Sequence, residues 1–222
     1  MNSEGVFSGR LQMLYLSEPQ LLEIRSLDPL RESKFKYNST RWLSLDQNLK
    51  SITKDYCDDD ISREQVIKCF RDYFDCKVSV ELPFVLTMIW GFADIGYGTF
   101  RTNKYYTSEN MELMELAFTH VKRKNIQQAY RTLKLINGLN ISYISKLLYF
   151  STRALEHSDY CLIFDIRVAR ALIRLTCPAT LVNLIEVTPS NKFEHYNQYN
   201  IQMHQLAQQH HISAEALEMY LF

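Results

Sequence analysis

Ile136-Asn137-Gly138-Leu139-Asn140-Ile141-Ser142-Tyr143-Ile144-Ser145-Lys146-Leu147-Leu148-Tyr149-Phe150 closes one helix, turns, and opens another. A helix running over 125–136 ends near Ile136, and Asn137 to Asn140 supply turn chemistry. The next helix starts near Ser142, so the stretch reads as helix–hairpin–helix. Tyr143, Lys146 and Phe150 share one stripe at helical spacing, which sets a lysine between two aromatics. Nineteen positions after Lys146 comes Asp165, within Leu162-Ile163-Phe164-Asp165-Ile166-Arg167-Val168-Ala169. Val168, Leu172 and Leu175 mark the inner face of the next helix. Aspartate at a helix start caps it, because its carboxylate accepts hydrogen bonds from the first free amides. An amine among apolar groups and a fixed carboxylate are the two parts of an amine-nucleophile site.

Working outward, the chain has 222 residues, 46% hydrophobic and 13% aromatic, with six Gly and five Pro. That is enough to bury a sizeable core, as one large domain or as two small lobes around a cleft. The same numbers speak against disorder. Twenty-five basic residues are balanced by twenty-five acidic ones, whereas a dedicated duplex-DNA binder carries a basic excess. Neutrality counts against strong non-specific DNA affinity but leaves room for a local basic face. Cys57, Cys69, Cys76, Cys161 and Cys177 are odd in number and contain no Cys-x-x-Cys pair. They read as reduced thiols, not as a disulfide frame or a zinc site. His195, His204, His210 and His211 lack metal-ligand spacing, so no metal and no cofactor are expected. The first residues lack a signal-peptide layout, and no apolar stretch approaches the roughly 18 residues that span a bilayer. A cytoplasmic protein without membrane contact is expected.

Along the chain, residues 1–57 are the least readable. Leu14-Tyr15-Leu16 fits a short strand or a helix start, and Trp42 and Leu45 are expected to dock this arm on the body. A helix over 61–74 carries Ile61, Val66, Phe70 and Phe74 at helical spacing. Pro83 suits the first turn of a strongly apolar helix from Glu81 through Trp90 to about Asp94. Ile95 to Arg101, with Gly96 and Gly98 around Tyr97, is either a plain connection or places Trp90, Tyr97 or Arg101 in a cleft opposite Lys146. Ser108 is expected to cap a helix over 109–123. Cys177-Pro178 makes a stop, after which 179–187, 193–209 and Ser213–Phe222 read as helices. The fold class is all-α, with about nine helices, in two lobes around a central cleft. Both chain ends are expected to share one lobe. The whole chain, 1–222, is read as a single unit with its chemistry in 125–176.

The run Ser145 to Phe150 paired with Phe164 to Ala169 resembles the helix–hairpin–helix DNA glycosylases. It is most similar to the 8-oxoguanine glycosylase-like branch, including archaeal-type enzymes and compact bacterial relatives in some antiphage operons. The resemblance rests on the lysine, the aspartate and the order of helices over roughly 81–222, and is weak over the first sixty or so residues. In one respect the chain departs from it. The family's hairpin reads Gly-hydrophobic-Gly, and here it is Gly138-Leu139-Asn140. Asparagine tolerates left-handed backbone, so the turn is expected to survive, while its close approach to a phosphate is what the change bears on.

The resemblance implies Lys146 as nucleophile and Asp165 as its partner, stabilising positive charge that develops on the sugar. It also implies DNA with a damaged or modified guanine as partner, extruded from the stack before reaction, and proteins of a defence operon as further partners. Glu218 and Phe222, one turn apart, look like the acidic and aromatic pair that holds the extruded base, with Trp90 and Tyr97 as further pocket candidates. Gly138, Asn140, Ser142 and Arg167 are the candidate phosphate contacts. Arg167, Arg170 and Arg174 form a stripe that otherwise reads as a solvated face. Attack on C1′ needs a neutral amine, and a free lysine titrates near pH ~10.4. Desolvation by aromatic neighbours is what would lower that value. Three functions stay open: a glycosylase with or without lyase activity, a non-catalytic or retargeted binder of a modified guanine-like nucleoside, and a helical adaptor.

Overall fold

The computed structural model of the chain describes residues 16–93, 96–176 and 192–222, with the backbone alone over 173–176. The expectations for Leu14 and Tyr15, for Asp94 and Ile95, for Cys177-Pro178 and for a helix over 179–187 lie outside the described residues. Among the described residues the fold is helical with one small ribbon. The elements are α1 (Glu18–Ser26), α2 (Pro29–Glu32), β1 (Lys34–Lys36), α3 (Gln47–Thr53), β2 (Asp60–Ser62), α4 (Arg63–Phe74), α5 (Glu81–Phe92) and α6 (Gly98–Tyr105). They continue with α7 (Ser108–Lys122), α8 (Ile126–Leu133), α9 (Ile141–Ala154), α10 (Ile166–Thr176), α11 (Phe193–Gln209) and α12 (Ala214–Leu221). The all-α expectation holds.

The helix expected over 61–74 begins two residues later, at Arg63. Ser62 and Gln65 form a reciprocal capping box there, which satisfies two free helical donors at once. Freed from the helix, residues 60–62 pair antiparallel with β1 in the register Lys34↔Ser62, Phe35↔Ile61 and Lys36↔Asp60. A two-stranded ribbon is marginal alone. This one is pinned by fully buried Ile61 and by the Phe35 ring set edge-on against Trp90. Trp42 and Leu45 are buried and do dock the N-terminal arm on the body. At α7 the cap is Thr107, whose side chain accepts from the Asn110 amide, and Ser108 is the first helical residue.

α9 decides the architecture. Every residue from Ile141 to Thr152 is buried, and a helix without a wet face belongs in the centre of a fold. α4, α5, α7 and α8 all pack on it. α12 packs against α1, α2, α10 and α11, so the two ends of the described chain meet. The Arg25 side chain also donates to the His210 carbonyl at 3.1 Å. Among the described residues no helix is long and apolar enough to cross a membrane.

Candidate active site

Gly138 is the pivot of the hairpin. Its φ of +85° is costly for any residue with a Cβ. Its carbonyl accepts from the Tyr105 hydroxyl at 2.7 Å. Asn140 does something other than its composition suggests. Its backbone is extended, φ −88° and ψ 170°, and its side chain accepts from the Tyr143 amide, so it is the N-cap of α9 and not a left-handed turn residue.

α9 then carries Ser142 and, one turn on, Lys146. The Lys146 ammonium is 2% exposed and donates to Ser142 Oγ at 2.8 Å and to the Ser142 carbonyl at 3.3 Å. It also reaches Asp165 Oδ2 at 3.4 Å. The Ser142 hydroxyl in turn donates to the same Asp165 oxygen at 2.9 Å. The sequence puts Ser142 on a phosphate; its hydroxyl is instead turned inward between amine and carboxylate. Tyr143 flanks the amine, with Nζ 5.2 Å from its ring centroid, and stacks on Phe92 at 4.5 Å. The second expected flank, Phe150, packs instead edge-on to Trp90 and parallel to Phe70. Room for the lysine stem comes from Gly91, where a Cβ would stand 3.0 Å from Lys146 Cδ.

Asp165 closes the arrangement from the start of α10. Its Oδ1 accepts from the Arg167 amide at 3.1 Å and its carbonyl from the Ala169 amide at 3.0 Å, which makes it the helix cap expected. The segment delivering it, Cys161 to Phe164, is buried and outside any helix, so its backbone groups need partners from side chains. The amides of Cys161, Leu162, Ile163 and Phe164 donate to Thr152, Asn200, Glu218 and Ser145 respectively. The carbonyls of Leu162 and Ile163 accept from the hydroxyls of Tyr196 and Tyr199. Three helices thus fix the position of one carboxylate.

Burial pushes the Lys146 amine below the ordinary lysine range, and Arg63 adds to this, while Asp165 and Glu218 oppose it. For Asp165 burial pushes upward. The Lys146 charge, the Arg167 amide and the Ser142 hydroxyl outweigh it and hold the carboxyl below its usual value. The amine thus gives up its proton more readily than a free lysine, and the carboxyl keeps its charge more firmly than a free aspartate.

The remaining candidates separate. Glu218 is fully buried and paired with Arg63 through two bonds of 2.9 and 3.3 Å. Its other partner is the Ile163 amide at 3.3 Å. It is a core residue holding the Asp165 segment and cannot face a guanine. Trp90 is likewise core, donating to the Ser33 carbonyl at 3.1 Å and lying beneath the Arg63 guanidinium at 5.3 Å. Phe222 is 37% exposed, and the Arg167 guanidinium lies 4.9 Å from its ring centroid, so Arg167 and Phe222 meet beside Asp165. Tyr97 is 71% exposed on the α5–α6 connection and Phe100 is 70% exposed one turn on. A cavity of about 450 Å³ between α5 and α7 is lined by Glu81, Glu112 and Glu115, away from these residues.

Sequence reasoning missed Ser142 as a partner of the pair and Arg63 as the partner of Glu218. Ser142 had a usable signal, since it precedes Lys146 by one helical turn. Arg63 had none, because a charged residue in a first turn reads as solvated.

The family described as "Putative 8-oxoguanine DNA glycosylase OGG-like protein" matches residues 28–222. No curated protein and no solved structure gave a match. The family match runs from the cap of α2 to the end of α12 and includes the hairpin, Lys146 and Asp165. With nearly the whole chain covered, the protein belongs to the OGG-like 8-oxoguanine DNA glycosylase family.

Proposed function

We propose that the chain excises an oxidised guanine from DNA, with Lys146 as the nucleophile and Asp165 as its partner. The observation that carries this is a buried amine within 3.4 Å of a carboxylate that three helices hold in place. Loss of one ammonium proton, which burial of the amine favours, leaves a neutral amine, and the Asp165 carboxylate stabilises the positive charge that develops on the sugar. The amine lone pair attacks C1′, the bond from C1′ to the base nitrogen breaks, and the departing base takes up a proton. Opening of the sugar then gives a Schiff base, from which loss of the 3′ phosphate by β-elimination is open. The exposed rings of Tyr97 and Phe100, with Arg101 on the same helix, fit a strand entering beside the hairpin, since ring faces stack on any base. Phe222 is the remaining candidate to stack on the extruded base. The test is release of 8-oxoguanine from a duplex. Wild type releases it, and Lys146→Gln does not while keeping its fold. Equal release by both proteins removes Lys146 from the chemistry.

Charge balance favours a second reading. Twenty-five cations against twenty-five anions is poor equipment for non-specific duplex binding, and Asn140 is used as a helix cap. A retargeted binder of a modified guanine-like nucleoside, in an antiphage setting, fits those two facts. It predicts ligand binding by wild type and by Lys146→Gln alike, without base release.

A further inference from the structure

Serine and threonine inside a helix usually turn back to a carbonyl of the preceding turn. Ser145, Ser151 and Thr152 of α9 do so. Ser142 does not. Its hydroxyl donates to Asp165 at 2.9 Å and accepts from Lys146 at 2.8 Å, and the same residue's carbonyl takes a second bond from the amine at 3.3 Å. Nor is Ser142 needed as a cap, since Asn140 fills that position. We infer that Ser142 is a positioning residue of this site, its hydroxyl holding the Lys146 amine and the Asp165 carboxylate in register instead of contacting DNA.

The geometry says what such a residue would do. An ammonium has three N–H groups, and Ser142 accepts two of them on one side of the nitrogen. The third faces Asp165 over the longer distance of 3.4 Å. When that third proton leaves, the lone pair is left pointing toward the carboxylate side. That is also the more open side, because the Asp165 side chain is 19% exposed against 3% for Lys146. A sugar carbon approaching from solvent therefore meets the lone pair and not an N–H. The same hydroxyl stabilises both charges of the resting pair, as donor to one member and acceptor from the other.

Part of the test needs no substrate, and the rest relies on Lys146 being the nucleophile. In full-length protein carrying lysine labelled at Cε and Nζ, the Lys146 resonance is titrated in wild type, Ser142→Ala and Ser142→Thr. Loss of the hydroxyl removes support from the charged amine, so Lys146 in Ser142→Ala titrates about one pH unit lower. Ser142→Thr returns it to the wild-type position. In single-turnover reaction with an 8-oxoguanine duplex, Ser142→Ala lowers the plateau rate on the order of 10–100-fold, the size of loss that misplacing a reacting group produces. Its acid limb moves to lower pH with the amine. Its Kd for the duplex and the salt dependence of that Kd stay those of wild type. An unmoved Lys146 titration, a plateau rate equal to wild type, or weaker binding with a shallower salt slope each overturns the inference. The last result would return Ser142 to a phosphate contact. A wild type that reacts with no duplex sinks the nucleophile reading, and the titration then decides the role of Ser142 alone.

Discussion

Gly91→Ala is the perturbation that reaches the amine without touching a polar group. A methyl group at Gly91 would lie 3.0 Å from Lys146 Cδ, 3.3 Å from Lys146 Cε and 3.3 Å from Tyr143 Cε1. Carbon atoms prefer about 3.5–4.0 Å, so the lysine stem must retreat by about 0.5–1 Å. A free lysine would do this at little cost. Lys146 is tied at its far end to Ser142 and Asp165, and Tyr143 is held by its stack on Phe92, so the retreat displaces the nitrogen. Overpacking costs about 1–3 kcal/mol, and replacing glycine by alanine in a helix returns about 1 kcal/mol. Net destabilisation is therefore small, at most about 2 kcal/mol, whereas a reacting atom moved by up to an ångström loses on the order of 100-fold in rate. Urea unfolding and single-turnover base release, measured on the same preparation, separate the two effects. A Gly91→Ala protein that is destabilised by that amount but releases base at the wild-type rate would refute the reasoning.

Asp165→Asn should keep the cap of α10, since asparagine is nearly as good a cap as aspartate, and should change the melting temperature little. Base release should fall strongly because the carboxylate charge facing the developing sugar cation is gone; unchanged turnover would reduce Asp165 to its capping role. The pH–rate profile of wild type should rise with pH to an inflection below the free-lysine value of ~10.4, because burial depresses the Lys146 pKa. Asp165 holds the proton on the amine, so in Asp165→Asn the inflection moves further down; an upward movement contradicts the assignment. Glu218→Gln should be costly, about 3–5 kcal/mol in urea unfolding, because it leaves the buried Arg63 guanidinium without its counter-charge. The double variant Arg63→Met, Glu218→Met should recover most of that loss, and equal damage in both proteins would show that the pair is not what is being lost.

The hairpin, the central helix and the cap at Asp165 were legible because each is local, whereas the pairing of Lys146 with Asp165 across 19 positions came from the family resemblance. Gly138 and Asn140 mark a turn, the unbroken apolar run after Ile141 marks a central helix, and Asp165 sits where a cap belongs. What the sequence hid was the outcome of long-range pairing. Ile61 stands next to the helical run of Val66 and Phe70, yet the capping box at Ser62 releases residues 60–62 to pair with β1. Glu218 and Phe222 share a face by spacing, but spacing says nothing about what the face meets. Glu218 meets Arg63, 155 positions away, and its carboxylate is used up in the core, while Phe222 lies half-exposed against Arg167. Trp90 looks cleft-lining in the sequence for the same reason, and Phe35 and Phe150 enclose it.

Which residue attacks the sugar is read most directly from the site of covalent attachment. Wild-type protein is incubated with an 8-oxoguanine duplex under borohydride, the trapped adduct is digested, and the modified peptide is sequenced by mass spectrometry. One adduct is expected, on Lys146, missing from Lys146→Gln. An adduct on any other lysine, or none at all from a protein that still releases the base, would contradict that assignment.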